Sequence, residues 1–286
     1  MILSHKPLTD PAVEQELFQL LDLVSPEQVA VDNWSNSTYV DSFINWIKGG
    51  TYNQIHGLDG FAHTAYSHGA IAVIEQFINR HGGHRRIRFS QAEFVASKII
   101  CNSIGVEFLH LEAGPIESND AVLISLPFAG NGGIWSGYDD MMDQCNQLNV
   151  PVLLDLAYYA ISHGLNIDLT HPCISDVAFS LSKPLATQLR MGLRLTRKHH
   201  DDMLQVNSDL KVYNRIFAWV AVQLMKKFPC DYIISKYLDN QIDICNNLGI
   251  TPCSTVTLAL GDETHTDFYR DGFYRICITN ELLQGL

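Results

Sequence analysis

A lysine follows a strand-like apolar run in the middle of this chain. The segment "FSLSKPLATQLRMG" at residues 179–192 starts as a largely apolar run and then places Lys183 just after Ser180 and Ser182. An ammonium group at this point is either a solvated charge in a loop or an amine that a pocket holds for chemistry. A partly desolvated lysine beside another cation has a lowered pKa, which lets its amine act as a nucleophile or a general base. The polar residues that follow the neighbouring strand-like segments help to decide between these two interpretations of Lys183.

Polar side chains of other types follow neighbouring apolar runs. They are Asn131 in "SLPFAGNGG", Asp155 and Tyr158 in "LLDLAYY", and Arg190 in "RMGLRL". Ligands of open parallel sheets bind in a crevice at the carboxyl ends of the strands, where such side chains meet. We therefore expect these groups and Lys183 to face one crevice.

Helical and strand-like segments alternate along the first two thirds of the chain. The spacing of apolar residues predicts helices in "AIAVIEQFINRH" (70–81), "EFVASKIICNSIG" (93–105, ending on Gly105) and "YDDMMDQCNQL" (138–148). Short apolar runs predict strands in "RIRF" (86–89), "AVLISL" (121–126), "PVLLDL" (151–156), "DVAFSL" (176–181) and "GLRLT" (192–196). Continuous apolar strands between helices are typical of a parallel sheet covered on both faces. The sequence thus predicts an α/β fold.

The pattern changes near residue 198. Two long helical segments follow, "VYNRIFAWVAVQLMKKF" (212–228) and "YIISKYLDNQIDICNNL" (232–248), and then the strand-like "TVTLAL" (255–260) and "FYRICIT" (273–279). We interpret residues 45–197 as a large ligand-binding domain, and residues 1–44 and 198–286 as a small, reduced α+β domain. No repeat, low-complexity tract or clear linker separates them.

Composition excludes several classes of function. The 286 residues carry 19 Lys and Arg against 31 Asp and Glu, a net charge of −12, so a nucleic-acid partner is not expected. No apolar run is long enough to cross a bilayer, and "MILSHKPLTD" is unlike a signal peptide, so we expect a cytoplasmic protein without membrane contact. The seven cysteines show no CxxC spacing, which favours free thiols over disulfides or a zinc site.

In their order along the chain, "DLAY", "SLSK" and "RMG" behind an Asn- and Gly-rich turn resemble the class I/II aminotransferases, the fold-type I enzymes that use pyridoxal 5′-phosphate (PLP). The segment "YNQIHGLDGF" (52–61) keeps the aspartate aminotransferase spacing Y-x-x-I-x-G-x-x-x-F, and Phe94 stands eleven residues before Gly105, as the ring-stacking aromatic residue does in the family. Near the end, "FYRICIT" resembles the strand that carries the arginine for the substrate α-carboxylate. The similarity runs from about residue 45 to 280 and implies a PLP-dependent transferase-like large domain with three α/β/α layers.

The resemblance assigns a role to each residue that it matches. Lys183 would form a Schiff base with the cofactor aldehyde and later act as the general base. Asp155 would keep the pyridine nitrogen protonated, so that the ring works as an electron sink. Asn131 and Tyr158 would donate to the phenolic oxygen, and Tyr158 would share the catalytic site with Lys183 and Asp155.

The resemblance also predicts a phosphate grip and a substrate contact. The other predicted cofactor-binding residues are Ser67, His68 and Gly69 in "SHGA", Ser180 and Ser182 in "SLSK", Arg190, and the aromatic residues Phe94 and Tyr52. Tyr52 would reach the phosphate of a neighbouring subunit, which implies a homodimer with a shared active site. Arg275 would hold the substrate carboxylate by a forked pair of hydrogen bonds.

Each of these residues has a simpler interpretation when it is taken alone. Lys183 is then a solvated loop lysine, Ser180 and Ser182 are turn residues, and Asp155 is a helix N-cap. Tyr52, Tyr158 and Phe94 are packed aromatic residues, Arg190 and Arg275 are surface charges, and Asn131 is a turn former. The simpler interpretation needs a separate reason for every position, whereas one cofactor accounts for all of them.

Two other signals are weak. "GNGG" after a strand lacks the GxGxxG spacing of a dinucleotide loop. His56, His63 and His68 have no carboxylate or cysteine at metal-ligand spacing, so no metal is expected.

We therefore expect a PLP-dependent aminotransferase that acts on an amino acid and a keto acid, as a homodimer. The same carbanion chemistry leaves a lyase, cyclase or racemase open. A PLP-binding module without turnover is a further alternative. The chain is shorter than a usual member of the family, and "AGNGG" (129–133) replaces the usual N-P-T-G turn.

Overall fold

The computed structural model describes residues 7–185, 188 and 190–284. The α-helices are α1 (Pro11–Leu23), α2 (Pro26–Val29), α3 (Asn36–Lys48), α4 (Ala70–His81), α5 (Ala96–Ile104), α6 (Tyr138–Leu148), α7 (Met203–Asp209), α8 (Arg215–Lys227), α9 (Tyr232–Leu248) and α10 (Thr279–Gln284). Residues 1–6 and 285–286, at the ends of the predicted small domain, lie outside the described residues, as do 186, 187 and 189 of the predicted large domain.

The strands form one large sheet and two small ones. They are β1 (Gln54–His56), β2 (His63–Ser67), β3 (Arg86–Phe89), β4 (Phe108–His110), β5 (Asp120–Ser125), β6 (Val152–Leu156), β7 (Asn166–Asp168), β8 (Ile174–Ser180), β9 (Gly192–Thr196), β10 (Thr251–Pro252), β11 (Leu258–Leu260), β12 (Tyr269–Arg270) and β13 (Phe273–Cys277). Short 3₁₀ helices lie at Leu58–Gly60, Leu111–Ala113, Tyr159–Ile161 and Thr266–Phe268. The pair β1 and β7 forms a separate parallel ladder.

The large sheet is mostly parallel, as the sequence predicts. Its seven strands follow the order β2-β9-β8-β6-β5-β3-β4. Strands β8, β6, β5, β3 and β4 pair in parallel, and β9 is antiparallel to both of its neighbours, β2 and β8. Strand β9 therefore begins at the edge where the other strands end.

Both faces of this sheet are buried because the strands are apolar on both sides. Val122 and Ile124 of β5 point into one core, and Ala121 and Leu123 point into the other. Helices α1, α3, α6 and α8 contribute to the first core, and α4 and α5 to the second. Each large apolar side chain removed from water here stabilises the fold by about 1.5–3 kcal/mol. The predicted α/β class with a three-layer α/β/α arrangement is confirmed.

A second layer lies at the C-terminus. Strands β10, β11, β13 and β12 pair antiparallel in that order, and α9 and α10 share a core with this sheet. This is the reduced α+β unit that the sequence predicts.

Packing does not follow the predicted domain boundaries at residues 44 and 198. Helices α1, α3 and α8 bury Leu17, Phe43 and Ala221 in the same core as strands of the large sheet. An amphipathic helix carries an apolar face, but its sequence does not say which surface that face covers. The core under α9 and the small sheet also includes Leu8 and Ile161, and the division of the chain into two domains stays a prediction.

Candidate active site

Residues from five strands lie side by side at the carboxyl edge of the large sheet. Ser67 at the end of β2 pairs with Gly192 of β9, and Gly192 pairs in turn with Ser180 of β8. On the other side of β8, Asp155 of β6 pairs with Ser125 at the end of β5. The sheet therefore brings together segments that lie far apart in the sequence.

Lys183 lies beside Tyr158 and Asp155. Its Nζ atom is 4.8 Å from the centroid of the Tyr158 ring, a cation–π distance. Both side chains are half-buried, and the charge of Lys183 is close enough to favour the ionised form of Asp155. Lys183 thus lies next to Tyr158 and close to Asp155, two of the residues that the sequence groups with it.

Asp155 is a buried carboxyl group that makes no ion pair within 4 Å among the described residues, although the Lys183 charge lies close enough to act on it. Burial raises its pKa to about 7, the nearby Glu93 carboxylate adds to the rise, and a hydrogen bond from Ala157 N (2.9 Å to Oδ1) and the Lys183 charge oppose it. An acidic group in this state ionises more readily when a cation binds next to it. The position fits a ligand with a protonated ring nitrogen.

A cup of hydroxyl groups lies at the start of α4. The Ser67 and Ser182 Oγ atoms are buried and have no hydrogen-bond partner among the described residues. Gly69, which precedes α4 with a φ of 77°, leaves the cup open: a Cβ atom there would lie 3.5 Å from Ser180 Oγ and 3.7 Å from Ser182 Oγ. Donors without partners beside a helix N-terminus suit an anion such as a phosphate group.

Arg275 enters the site from the small sheet. Its Nη1 atom donates a hydrogen bond to the carbonyl oxygen of Ala129, in the loop after β5. The guanidinium is mostly buried and lies close enough to Tyr158 to interact electrostatically with it. The neighbouring Phe273 ring meets Phe128 of the same loop edge to face, with centroids 5.9 Å apart. The second layer therefore brings a cation to the crevice.

No protein-family model and no curated protein sequence matches this chain. Solved structures do match. The PLP-bound C-S lyase from Staphylococcus hominis aligns with 96% of this chain and 87% of its own, at 15% identity and a TM-score of 0.67. Tyrosine aminotransferase from Leishmania infantum aligns with 99% of this chain and 90% of its own (15% identity, TM-score 0.64), and aromatic aminotransferase from Pyrococcus horikoshii OT3 with 98% and 92% (11% identity, TM-score 0.67). This chain has the PLP-dependent transferase fold. The resemblance seen in the sequence is confirmed at the level of the fold.

Within the PLP-dependent transferase fold, two predicted phosphate contacts lie at the rim of the cup. Arg190 is exposed and has a positive φ of 47°, and it directly precedes Met191, whose carbonyl oxygen accepts a hydrogen bond from Ser180 Oγ (3.4 Å). His68 is exposed, and its ring meets that of Tyr66 edge to face with centroids 5.4 Å apart. Both are next to the cup in sequence, and neither side chain fills it.

Three other predicted residues lie at the periphery. The side chain of Asn131 bonds within its own turn, accepting from Gly133 N and donating to Ile134 O (2.9 Å each). Phe94 and Tyr52 expose 41% and 37% of their surface. The roles of these residues at a cofactor stay predictions.

The sequence interpretation missed Glu93. This residue directly precedes Phe94, is 4% exposed, and lies close enough to Asp155 to raise the pKa of that carboxyl group. The signal was a glutamate shortly after the strand "RIRF", before a helix, where polar side chains of this sheet edge gather.

Among the described residues, no group of three or more His, Cys, Asp and Glu side chains is arranged to hold a metal ion. None of the described helices is long and apolar enough to cross a membrane.

Proposed function

We propose that this protein binds PLP and is an aminotransferase that acts on the amino group of an amino acid. The observation that carries the proposal is the grouping of Lys183 Nζ, the Tyr158 ring and the buried Asp155 carboxyl at one sheet edge, next to a hydroxyl cup at a helix start. An amine, a ring-nitrogen partner and an anion cup are the three features that this cofactor needs. The match of the fold to PLP-bound structures supports the same conclusion.

The residues present fit the cofactor at both of its ends. The unpartnered hydroxyls of Ser67 and Ser182 would donate to the phosphate, and Ser180, the backbone at the start of α4 and the guanidinium of Arg190 are assigned to the same grip. At the other end, Asp155 would pair with the protonated ring nitrogen. When bound, the cofactor accepts the electron pair that is released as a bond at the substrate Cα breaks.

Lys183 has two tasks in this proposal. Its amine would hold the cofactor, and the same amine, when free, would take and return the proton at the substrate Cα. The Tyr158 ring beside Nζ limits where the amine can move, and the Tyr158 hydroxyl is assigned to the phenolic oxygen of the cofactor.

Arg275 is assigned to the substrate α-carboxylate. A guanidinium group matches a carboxylate with two parallel hydrogen bonds, and a mostly buried guanidinium is weakly screened by solvent. We further propose that two copies form a homodimer in the cytoplasm, in which Tyr52 of one copy reaches the phosphate bound to the other. The exposed position of the Tyr52 ring is compatible with this.

Replacing Ser182 with alanine separates cofactor binding from folding. Its Oγ atom is buried without a partner among the described residues, so its loss should leave the free energy of unfolding of the apoprotein unchanged or raise it. The variant should bind PLP roughly tenfold more weakly, since one hydrogen bond to a charged group contributes about 1.5 kcal/mol or more. Chemical denaturation and a PLP titration measure the two quantities.

Ser103 provides the control for this substitution, because it is exposed on α5 and its hydroxyl bonds to the Ile100 carbonyl (2.9 Å). Ser103→Ala should leave PLP affinity unchanged. Equal PLP affinity in Ser182→Ala and the wild type would remove the cup from the proposed phosphate site.

A second candidate is a lyase acting at Cα or Cβ, and the match to a C-S lyase favours naming it. Product analysis with and without a keto acid separates the two reactions. Turnover that requires a keto acid, with exchange of the amino group, supports the aminotransferase. Release of ammonia and a keto acid without a co-substrate supports the lyase, and a spectrum that no amino acid changes supports a binding module without turnover.

A further inference from the structure

A chain of hydrogen bonds runs from a buried carboxylate, through the loop after β5, to the guanidinium of Arg275. It begins at Glu93, in the loop between β3 and α5. The Glu93 Oε1 atom accepts from Ser125 Oγ (2.6 Å), and its Oε2 atom accepts from Ser125 N (2.8 Å). Ser125 Oγ in turn accepts from Ala129 N (2.9 Å), and the Ala129 carbonyl oxygen accepts from Arg275 Nη1. These bonds join the edge of the large sheet to the side chain that the small sheet contributes.

The carboxylate of Glu93 sets the direction of this chain. A hydroxyl group has one proton, and the Ser125 hydroxyl gives it to the carboxylate, so a lone pair of Oγ is left for the Ala129 N–H. Phe94 N also donates to Glu93 Oε1 (2.8 Å), and N–H donors at both oxygens favour the ionised form. Burial raises the pKa of Glu93, and these bonds and the Arg275 charge oppose the rise. One carboxylate thus holds Ser125 at its backbone and at its side chain.

The Ala129 carbonyl lies where it can orient the guanidinium of Arg275. The backbone of Arg275 is fixed in the small sheet, where it pairs with Leu260 of β11, and its side chain reaches across to the loop. A guanidinium forms two parallel hydrogen bonds to a carboxylate only when its plane has the right orientation. The bond from Nη1 to the Ala129 carbonyl restricts that plane. A shift of the carbonyl would turn the guanidinium with it.

Other contacts close the rest of this loop. Phe128 N donates to Gly133 O (2.6 Å), and Gly132 N donates to Phe128 O (2.8 Å). The ring of Phe273 packs against that of Phe128. Loss of the Ser125 hydroxyl therefore releases one N–H group of the loop without opening the turn.

We propose that Glu93 and Ser125 position Arg275, by fixing the loop carbonyl that orients its guanidinium towards the carboxylate of the substrate. This role rests on the proposed function, in which Arg275 binds that carboxylate. Because Glu93 and Ser125 act through Ala129, their loss should weaken the recognition of a carboxylate more than any other property of the site.

Two aminooxy compounds measure this recognition without knowledge of the natural substrate. Aminooxyacetate and methoxyamine both react through their nitrogen with the cofactor aldehyde, and only aminooxyacetate carries a carboxylate. The readout is the ratio of their second-order rate constants with the PLP-loaded full-length protein, divided by the same ratio for free PLP and followed by the absorbance of the cofactor. The wild type should favour aminooxyacetate by roughly 30-fold or more, since loss of one partner of a buried charge pair has an effect of at least this size.

Four variants separate positioning from structure. Arg275→Gln should abolish the preference for aminooxyacetate, and Ser125→Ala should lower it by roughly tenfold, the size of one hydrogen bond to a charged group. Glu93→Gln should lower it as well, because its amide nitrogen meets a Ser125 donor with a donor. Ser125→Thr keeps the hydroxyl and should keep the wild-type preference. A change in the reactivity of the bound aldehyde affects both compounds and cancels in the ratio.

The outcomes separate this role from the proposed function. A wild-type preference in both Ser125→Ala and Glu93→Gln would overturn the positioning role, and so would an equal loss in Ser125→Thr and Ser125→Ala. A wild type without any preference would overturn it together with the role of Arg275. PLP binding stays supported in each of these cases, whereas a wild type that binds no PLP would overturn the proposed function too.

Amide hydrogen exchange in the wild-type apoprotein gives the answer if the variants do not fold. The Ala129 N–H bonds to Ser125 Oγ, so NMR should show that it is protected from exchange. Exchange of this N–H at the rate of an unstructured peptide would show that the chain of bonds is not formed, and the positioning role would be wrong.

Discussion

Lys183→Ala is expected to lower the turnover of amino acids by roughly 10⁴-fold or more, since a positioned general base alone contributes about 10²–10⁴-fold and the covalent anchor is lost as well. The expectation follows from the position of Nζ over the Tyr158 ring and within electrostatic reach of Asp155. Steady-state kinetics with a broad panel of amino acids and one keto acid measures the effect.

Lys198 provides the matched control, because it is an exposed lysine shortly after the neighbouring strand β9. Lys198→Ala should keep the wild-type rate. Circular dichroism should report the same fold for both variants, since Lys183 makes no contact that the core needs. A wild-type rate in Lys183→Ala would refute the assigned role of this lysine.

Asp155→Asn is expected to lower the rate by roughly 10²-fold or more, an effect of the size seen when one preorganised electrostatic contact to a developing charge is removed. The amide has nearly the shape of the carboxyl group and still accepts the hydrogen bond from Ala157 N. It cannot hold the ring nitrogen protonated by its charge, so PLP should also bind more weakly.

The same substitution should stabilise the empty protein, with a definite dependence on pH. The pKa of Asp155 is raised from 3.8 to about 7 in the fold, so ionisation of the native state is disfavoured. Asp155 therefore does not lower the free energy of unfolding of the wild type below about pH 4. It lowers this free energy increasingly as the pH rises to about 7, and by a constant amount above that. At pH 8 the Asn variant should unfold with a free energy higher by about 2–4 kcal/mol.

Denaturant unfolding of apoprotein at pH 4 and pH 8 tests this. A stability difference between the variants that is equal at both pH values would contradict the assigned state of Asp155. A full rate in Asp155→Asn with undiminished PLP affinity would contradict its assigned role.

Much of the fold could be predicted because local patterns carry it. Helices α4, α6 and α9 and strand β9 begin and end at the residues that the spacing predicts. In the three helices the burial pattern repeats the apolar period of the sequence, whereas β9 is buried along its whole length. Residues at strand ends could also be predicted to meet, because parallel strands share one carboxyl edge.

What could not be predicted depends on contacts between distant segments. "TVTLAL" predicts a strand from residue 255, but Thr255 N and Val256 N donate to Gly132 O and Ile161 O (3.0 Å each), so only Leu258–Leu260 joins the sheet. Glu93 likewise gains its place from Ser125, 32 residues away. No local period encodes such pairs.

Identifying the lysine to which PLP attaches covalently tests the central proposal most directly. The apoprotein is incubated with PLP, the bond between cofactor and amine is reduced with borohydride, and the digested peptides are mapped by mass spectrometry. The account predicts a phosphopyridoxyl group on the peptide that contains Lys183, near full occupancy, and no such adduct at this position in Lys183→Ala. Labelling spread over exposed lysines such as Lys48 and Lys198, with Lys183 unmodified, would mean that the lysine after β8 is a solvated loop residue, and the proposed function would be wrong.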